Sequence, residues 1–244
     1  MPANLSALSA ATVIFVHGAF ADGSSWNRVI PFLQQKSVHV VSVQNPLSSL
    51  ANDVAATRRA IDQAKGPVVL VGHSWAGAVI TQAGSDPKVR ALVYVAAFAP
   101  EAGMSVNDMG KGAPPLPWQK SIIVSADGYI TLPAKVVAED FAQDVPKREA
   151  EILAATQGAT ATRAFDDKLS IAAWHGKPCW YIVSKRDRMI TPEAERAMAH
   201  AIGARVTEID ASHVVMLSHP NKVAAVIESA LANVSAAPVA NALK

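Results

Sequence analysis

The chain has 244 residues, and half of them are apolar, which is enough to bury the core of one α/β domain. Its 22 basic and 20 acidic residues are scattered along the sequence, which argues against partners such as nucleic acid or an anionic membrane surface. No apolar run is long enough to span a bilayer, and the single cysteine, Cys179, lies in an apolar run where we expect an inert buried thiol.

The two ends of the chain carry no strong folding signal. The first eleven residues, MPANLSALSAA, lack the basic and apolar regions of a signal peptide, so we expect a cytoplasmic protein. A secretory precursor trimmed before expression would have the same sequence. Residues 235–244 are small and polar with one proline, and they are predicted to form a flexible tail.

Short apolar strands alternate with helices through the first hundred residues. A helix is predicted from Trp26, with Val29, Ile30, Phe32 and Leu33 on its buried side, and a second from about Leu50 to Lys65. The predicted strands are Thr12–Val16, Val38–Val43, Val68–Val71 and Val89–Ala96. The third and fourth are uninterrupted apolar runs, as expected of parallel strands that are buried on both faces.

The alternation stops near Pro100 and resumes near Pro178. Residues 99–173 have no strong strand followed by a crossover helix, and they are predicted to form a mostly helical cap inserted after the fourth strand. The last predicted elements are strands Pro178–Val183 and Val206–Ile209 and helices Pro192–Ala201 and Met216–Val234. The prediction is an α/β fold with a six-stranded, mainly parallel sheet, helices on both faces, and core segments 1–98 and 174–234.

The stretch around Ser74 joins a strand to a helix through a very tight turn. Gly72 and Ala76 lie two residues before and after the serine, where only small residues fit because the chain reverses sharply. The turn is expected to strain Ser74 and to lift its hydroxyl above the sheet at the start of a helix, where unpaired backbone N–H groups favour negative charge.

This turn resembles the nucleophile elbow of the α/β-hydrolases, with alanine replacing the last glycine of their G-x-S-x-G motif. The resemblance implies that Asp187, in the loop before Pro192, is the catalytic acid and that His213, after the last strand, is the general base. The chain order Ser74, Asp187, His213 is the one expected of that family. Two alternatives stay open, since Asp187 could pair with Arg186 or Arg188, and Asp210 is a second candidate acid.

The same resemblance assigns the oxyanion hole to the backbone N–H groups of Ala19 and Trp75. His17 precedes the first of these, and we expect it to hold its loop through a hydrogen bond. His73 is expected to support packing beside the nucleophile without moving protons. His219 is expected to lie too far from Ser74 to act as the base.

Four stretches, FVHGAFADGSSW, VLVGHSWAG, the Asp187 loop and SHVVMLSHP, are similar to the branch of plant methylesterases, hydroxynitrile lyases and small bacterial esterases. Lyases of that branch carry threonine at the position of Gly18 and lysine at the position of Val214. Both lyase marks are missing, so the resemblance favours hydrolysis of carboxylic esters through an acyl-enzyme on Ser74. That chemistry needs no metal or organic cofactor.

The expected partner is a small apolar or aryl ester, bound in a pocket between core and cap. The candidate pocket residues are Phe20, Met104, Trp118, Trp174 and Val214. Each cap residue among them could instead only anchor the cap on the core. Hydroxynitrile lyase, lactonase or perhydrolase activity would use the same triad, and a non-catalytic small-ligand binding protein could keep the fold. The sequence leaves the oligomeric state open, a dimer being one option.

Overall fold

The computed structural model describes residues 11–236, and its centre is a six-stranded sheet in which every pair of neighbours is parallel. Its strands are β1 (Thr12–Val16), β2 (His39–Val43), β3 (Val68–His73), β4 (Val89–Val95), β8 (Cys179–Ser184) and β9 (Arg205–Ile209); strands β5 to β7 belong to the cap and are given below. The strands of this sheet lie in the order β2-β1-β3-β4-β8-β9. The predicted α/β-hydrolase architecture is confirmed.

The central strands are buried on both faces, as their continuous Val, Ile and Leu runs predicted. The edge strand β9 is exposed along most of its length. The register of the sheet pairs Val16 of β1 with Gly72 of β3. Because the two strands are parallel, the loop that follows β1 lies beside the turn that contains Ser74.

The core helices comprise Ile30–Gln34, Leu50–Gln63, Ala76–Ala83, Pro192–Ala201, Val215–Ser218 and Pro220–Ala236. Of these, Leu50–Gln63 and Pro192–Ala201 begin and end at or close to their predicted bounds. Ser49 and Thr191 cap two of them by accepting hydrogen bonds from the backbone N–H groups of Asn52 and Ala194.

Two predictions about the helices were wrong. The helix expected from Trp26 is a 3₁₀ turn, Gly23–Trp26, followed by the short helix Ile30–Gln34, and this leaves Phe32 37% exposed. The last helix is interrupted at His219. Pro220 accounts for the interruption, since proline disfavours helical backbone in the residue before it and opens the next helix.

The cap is the excursion between β4 and β8. It contains a small antiparallel sheet that the sequence analysis did not predict, formed by β5 (Ile123–Val124), β6 (Tyr129–Thr131) and β7 (Thr160–Ala161). Its helices are Val106–Met109, Ala134–Val136, the π-helix Val137–Phe141 and Lys147–Thr156, with 3₁₀ turns at Pro117–Ser121, Thr162–Asp166 and Ala173–Gly176.

The structure also bears on the predictions made from composition. Across residues 11–236 it contains no helix that combines the length and apolarity needed to cross a membrane. Cys179 is buried, and burial raises the pKa of its thiol to about 12, which agrees with an inert thiol. The last helix extends two residues into the predicted tail. Residues 237–244 and most of the amino-terminal segment lie outside the described residues.

Candidate active site

Ser74 lies in the strained turn that the small residues around it predicted. Its φ angle is +53°, a left-handed conformation that is rare for a residue with a side chain. A Cβ atom on Gly72 would lie 2.7 Å from the carbonyl oxygen of Ala76, so the chain closes too tightly there for a larger residue. The backbone N–H of Ser74 donates to Val95 of β4, which ties the turn to the sheet.

His213 and Asp187 form a buried hydrogen-bonded pair. The distance between His213 Nδ1 and Asp187 Oδ2 is 2.5 Å, and both side chains are removed from solvent. The other carboxylate oxygen of Asp187 accepts the backbone N–H groups of Met189 and Ile190, at 2.7 and 2.9 Å. Since a carboxylate only accepts hydrogen bonds, Nδ1 of His213 carries the proton and Nε2 is free to act as a base.

The basic neighbours of Asp187 pair with other acids. Arg186 contacts the exposed carboxylate of Asp210 at 3.1 Å, and Arg188 lies 3.8 Å from Asp140 of the cap. Of the two candidate acids, the structure therefore brings Asp187, and not Asp210, to His213.

His73 lies between the serine turn and His213. Its Nε2–H donates to the backbone carbonyl of His213 at 2.9 Å, and the two imidazole rings are 4.6 Å apart. Burial, and then the nearby His213, lower the pKa of His73 well below its usual range. His73 also packs against the rings of Trp26 and Phe141, which agrees with the packing role expected of it.

The loop after β1 supplies the other side of the site. A Cβ atom on Gly18 would lie 2.9 Å from Cβ of Ser74, so only glycine allows this loop to approach the serine so closely. His17 holds the loop, since its Nε2 accepts the backbone N–H of Asn45 and its Nδ1 donates to the carbonyl of Gly18. The structural role predicted for His17 is confirmed.

The two amides assigned to the oxyanion hole belong to this loop and to the serine turn. Within residues 11–236, neither the N–H of Ala19 nor that of Trp75 has a hydrogen-bond acceptor. Both residues are buried, and unpaired buried N–H groups are uncommon in folded proteins. The arrangement leaves two donors beside Ser74 that can stabilise negative charge.

The indole of Trp75 turns towards a buried carboxylate that the sequence analysis did not identify. Its Nε1–H donates to Asp53 Oδ2 at 2.8 Å, and the other oxygen of Asp53 accepts the backbone N–H of Leu47, also at 2.8 Å. Burial raises the pKa of Asp53 to about 6, while the Trp75 indole and the Leu47 amide act in the opposite direction. The sequence did indicate that Asp53 is buried, because this acid lies on the same face of the helix as Leu50, Thr57 and Ile61.

A second overlooked acid, Glu195, lies behind Asp187 and is completely buried. Its Oε2 accepts the backbone N–H of Ser184 at 3.1 Å, whereas Oε1 has no hydrogen-bond partner among the residues described. Burial, and next the charge of Asp187, raise the pKa of Glu195 well above its usual range. The acid therefore keeps its proton to higher pH than an exposed glutamate.

The cap reaches the His213 loop through two residues that sequence reasoning also missed. The carboxylate of Asp144 accepts both the N–H and the hydroxyl of Ser212, at 2.8 and 2.5 Å. The ring of Phe141, which ends the π-helix, lies 5.3 Å from the His213 ring. With this cover, Ser74 is only 7% exposed and His213 only 1%.

Two of the five predicted pocket residues contact each other. The rings of Phe20 and Trp118 are 6.3 Å apart in an edge-to-face arrangement, and the indole of Trp118 donates to the carbonyl of Met189 at 3.2 Å. Trp118 thus joins the Ala19 loop to the Asp187 loop. Val214 is buried directly after His213.

The other two pocket candidates have contacts at the attachment of the cap to the core. The indole of Trp174 donates to the carbonyl of Pro100 and its ring packs on His175, 3.9 Å away. The backbone carbonyl of Met104 accepts the N–H of Leu169. For Trp174 these contacts fit the anchoring alternative better than a place in a pocket.

The six-stranded parallel sheet with a strained serine turn at its centre defines an α/β-hydrolase-type fold. A model of the alpha/beta hydrolase family matches residues 13–226, and the chain belongs to the α/β-hydrolase family.

Individual relatives agree with that assignment. A protein named "Probable hydrolase R7" from Phoma sp. is 27% identical, and the match covers 88% of this chain and 96% of that protein. Two solved structures share the fold: a pyrethroid hydrolase from Sphingobium faniae JZ-2 (TM-score 0.76, 20% identity, 95% and 99% of the two chains) and polyneuridine aldehyde esterase (TM-score 0.76, 18% identity, 92% and 99%).

Proposed function

We propose that the chain is a serine hydrolase that cleaves carboxylic esters of small apolar or aryl substrates through an acyl-enzyme on Ser74. The observation that carries the proposal is the buried Asp187–His213 pair packed against the loop of a strained serine. The fold relatives named an esterase and a pyrethroid hydrolase are consistent with it.

The proposed reaction begins when Ser74 Oγ attacks the ester carbonyl carbon and Nε2 of His213 takes the hydroxyl proton. Asp187 stabilises the resulting imidazolium and keeps the proton of Nδ1 in place. The tetrahedral intermediate collapses as the bond to the leaving alcohol breaks and His213 returns the proton to that alcohol. Water then attacks the acyl-enzyme with His213 again as base, which releases the acid and restores Ser74.

Negative charge develops on the carbonyl oxygen in both steps. The free amides of Ala19 and Trp75 are placed beside Ser74 to donate to that oxygen. Removing one such donor in a serine hydrolase typically costs about 10²- to 10³-fold in kcat, so this pair is a major part of the proposed mechanism.

The proposed preference for apolar or aryl esters rests on aromatic side chains near the Ala19 loop and His213. Phe20, Trp118 and Phe141 place aromatic rings near both the Ala19 loop and His213. Aromatic side chains at a binding site favour an apolar acyl or aryl group in the substrate.

Cyanohydrin cleavage is the main alternative with the same triad, and two positions argue against it. Gly18 offers no hydroxyl group, and Val214 offers no positive charge for a leaving cyanide. Lactonase and perhydrolase activities share the ester mechanism and are separated from it only by a panel of substrates.

The experiment that tests the proposal measures release of p-nitrophenol from acetate, butyrate and octanoate esters by the wild-type chain and by Ser74→Ala. We expect turnover with a preference for one chain length, and a loss of at least about 10⁴-fold in kcat for the variant. Equal, slow rates from two folded proteins would reject ester hydrolysis at Ser74. Cyanide release from an aromatic cyanohydrin, measured in parallel, tests the lyase alternative.

A further inference from the structure

The proposed ester mechanism makes no use of Asp53, although this residue is a fully buried acid close to the nucleophile. It lies on the core helix Leu50–Gln63, and its two oxygens accept hydrogen bonds from the Trp75 indole and the Leu47 amide. Trp75 directly follows Ser74 and provides one of the two unpaired amides. Burying a carboxylate at such a position is costly unless its partners are well placed, so its two hydrogen bonds must hold it firmly.

We propose that Asp53 is a positioning residue for the oxyanion hole, which fixes the Trp75 side chain and through it the backbone N–H of Trp75 beside Ser74. The proposal rests on the ester hydrolysis proposed above. Asp53 touches no reacting atom in this scheme and acts only through Trp75.

The donor and acceptor count supports an ionised Asp53 as the working form. Both of its partners are N–H donors. In the ionised carboxylate both oxygens only accept hydrogen bonds, whereas in the neutral acid one oxygen carries a proton that would face one of the two N–H groups. Hydrogen bonds to a charged acceptor are shorter and stronger than neutral ones, so this pair restrains the indole more firmly than a neutral acceptor would.

The Trp75 side chain is also held from the cap. The ring of Phe165 packs edge-on against the Trp75 indole at 5.2 Å, and Leu47, which Asp53 holds from the core, accepts the N–H of Ala161 from cap strand β7 at 2.8 Å. Asp53 therefore connects the oxyanion residue to the part of the cap that covers it. Loss of this acid should disturb the position of the amide more than the binding of the substrate.

The first test compares Asp53→Asn with Asp62→Asn, which makes the same chemical change at an exposed position of the same helix. An asparagine directs an N–H₂ group at one of the two N–H donors and so breaks one hydrogen bond. We expect kcat for p-nitrophenyl butyrate to fall about 10- to 100-fold in Asp53→Asn, somewhat less than for outright loss of an oxyanion donor. KM should stay within about threefold, and Asp62→Asn should match the wild type.

A second variant, Trp75→Phe, removes the same hydrogen bond from the other end and keeps an aromatic ring against Phe165. If Asp53 acts through Trp75, the double variant should lose no more kcat than the worse single variant, because both changes remove one interaction. Independent, multiplying losses would show that Asp53 acts by another route. Trp75→Phe also carries the test if Asp53→Asn does not fold.

The rate at which a fluorophosphonate probe labels Ser74 provides a further readout, since its phosphoryl oxygen occupies the oxyanion hole. We expect slower labelling in Asp53→Asn and Trp75→Phe, and unchanged labelling in Asp62→Asn. If Ser74→Ala is as active as the wild type, the ester mechanism itself fails. If Ser74 is essential but folded Asp53→Asn keeps the kcat and labelling rate of Asp62→Asn, only the role of Asp53 is overturned.

Discussion

The two sides of Ser74 are built from different parts of the chain. On the acid side, the side chains of Asp187 and His213 face each other. The proposed chemistry there needs particular side chains, which can be recognised in the sequence by residue type. On the side proposed to hold the oxyanion, the groups that matter are backbone N–H groups, which any residue except proline could provide. In the mechanism proposed above, their placement depends on the absence of a side chain at Gly18 and on the hydrogen bond from the Trp75 indole to Asp53.

Each side contains a buried carboxylate whose two oxygens both accept hydrogen bonds from N–H groups. Asp187 accepts from His213 and from two backbone amides, while Asp53 accepts from Trp75 and Leu47. Only Asp187 has a partner that gains and loses a proton during the proposed reaction. We therefore expect changes on the acid side to affect chemistry most, and changes on the oxyanion side to have smaller, geometric effects.

The largest expected effect comes from Asp187→Asn. The amides of Met189 and Ile190 already occupy one oxygen of Asp187, so the asparagine oxygen would face them and its N–H₂ group would face His213 Nδ1. That arrangement moves the imidazole proton to Nε2 and removes the base. We expect kcat to fall about 10⁴-fold, measured with p-nitrophenyl butyrate on the folded variant.

The matched control for this change is Asp210→Asn, which alters the alternative acid and its ion pair with Arg186. It should leave kcat within about twofold, because surface ion pairs contribute little. A larger loss in Asp210→Asn than in Asp187→Asn would reverse the assignment of the acid.

A smaller loss is expected on the oxyanion side from Gly18→Ala. The added methyl group would meet Cβ of Ser74 and Nδ1 of His73 at 2.9 Å, so the loop carrying Ala19 must move back by several tenths of an ångström. Because a displacement of about 1 Å can cost 10²-fold in rate, we expect kcat to fall roughly 10- to 100-fold.

Gly176→Ala is a suitable control, since a Cβ atom there would meet nothing within 4 Å. It should leave kcat unchanged. Full activity in Gly18→Ala would mean that the close approach of the loop is not needed to place the amide of Ala19, and the contrast between the two sides would weaken.

Trp118 contacts both sides, and its replacement should affect binding rather than chemistry. Its ring meets Phe20 on the oxyanion side and its indole donates to Met189 on the acid side. In Trp118→Ala we expect KM for the butyrate and octanoate esters to rise about three- to tenfold, with a smaller change in kcat. Trp174→Ala, which removes the anchoring contact to Pro100, should lower the melting temperature without changing the chain-length preference. If Trp174→Ala raised KM and changed the chain-length preference while Trp118→Ala changed only the melting temperature, the pocket would be lined by Trp174 and not by Trp118.

Some features of the fold and of the candidate site could be predicted from the sequence, and others could not. Strands β1, β3 and β4 were predictable because long Val, Ile and Leu runs are typical of buried parallel strands, and the serine turn because Gly72 and Ala76 satisfy a steric demand. The cap sheet was not predictable, since strands of two or three residues are too short for a periodic pattern. Asp53 and Glu195 were missed because an acid in a helix is usually exposed, and only the packing shows what it accepts.

The smallest expected effect on activity, and a distinct effect on stability, concerns Glu195. Its pKa is raised in the folded protein by burial and by the charge of Asp187, whereas in the unfolded chain it should ionise near its usual value of about 4.3. As pH rises above that value, the unfolded chain releases this proton before the folded protein does. Glu195 therefore makes the free energy of unfolding fall as pH rises.

Glu195→Gln removes the ionisable group, and with it this loss of stability at higher pH, while it keeps the shape of the side chain. Its amide oxygen can accept the N–H of Ser184, and its N–H₂ group can donate towards Asp187. We expect equal melting temperatures near pH 4 and a variant that is more stable by about 2–4 °C at pH 8, equivalent to about 1 kcal/mol for a protein of this size. Activity should be nearly unchanged.

The control is Glu193→Gln, at an exposed position of the same helix. Its melting temperature should not rise relative to the wild type as the pH increases. If Glu195→Gln were instead destabilised by the same amount at every pH, the prediction would fail. Glu195 would then stabilise the fold through contacts that glutamine cannot make, and its ionisation would not oppose folding.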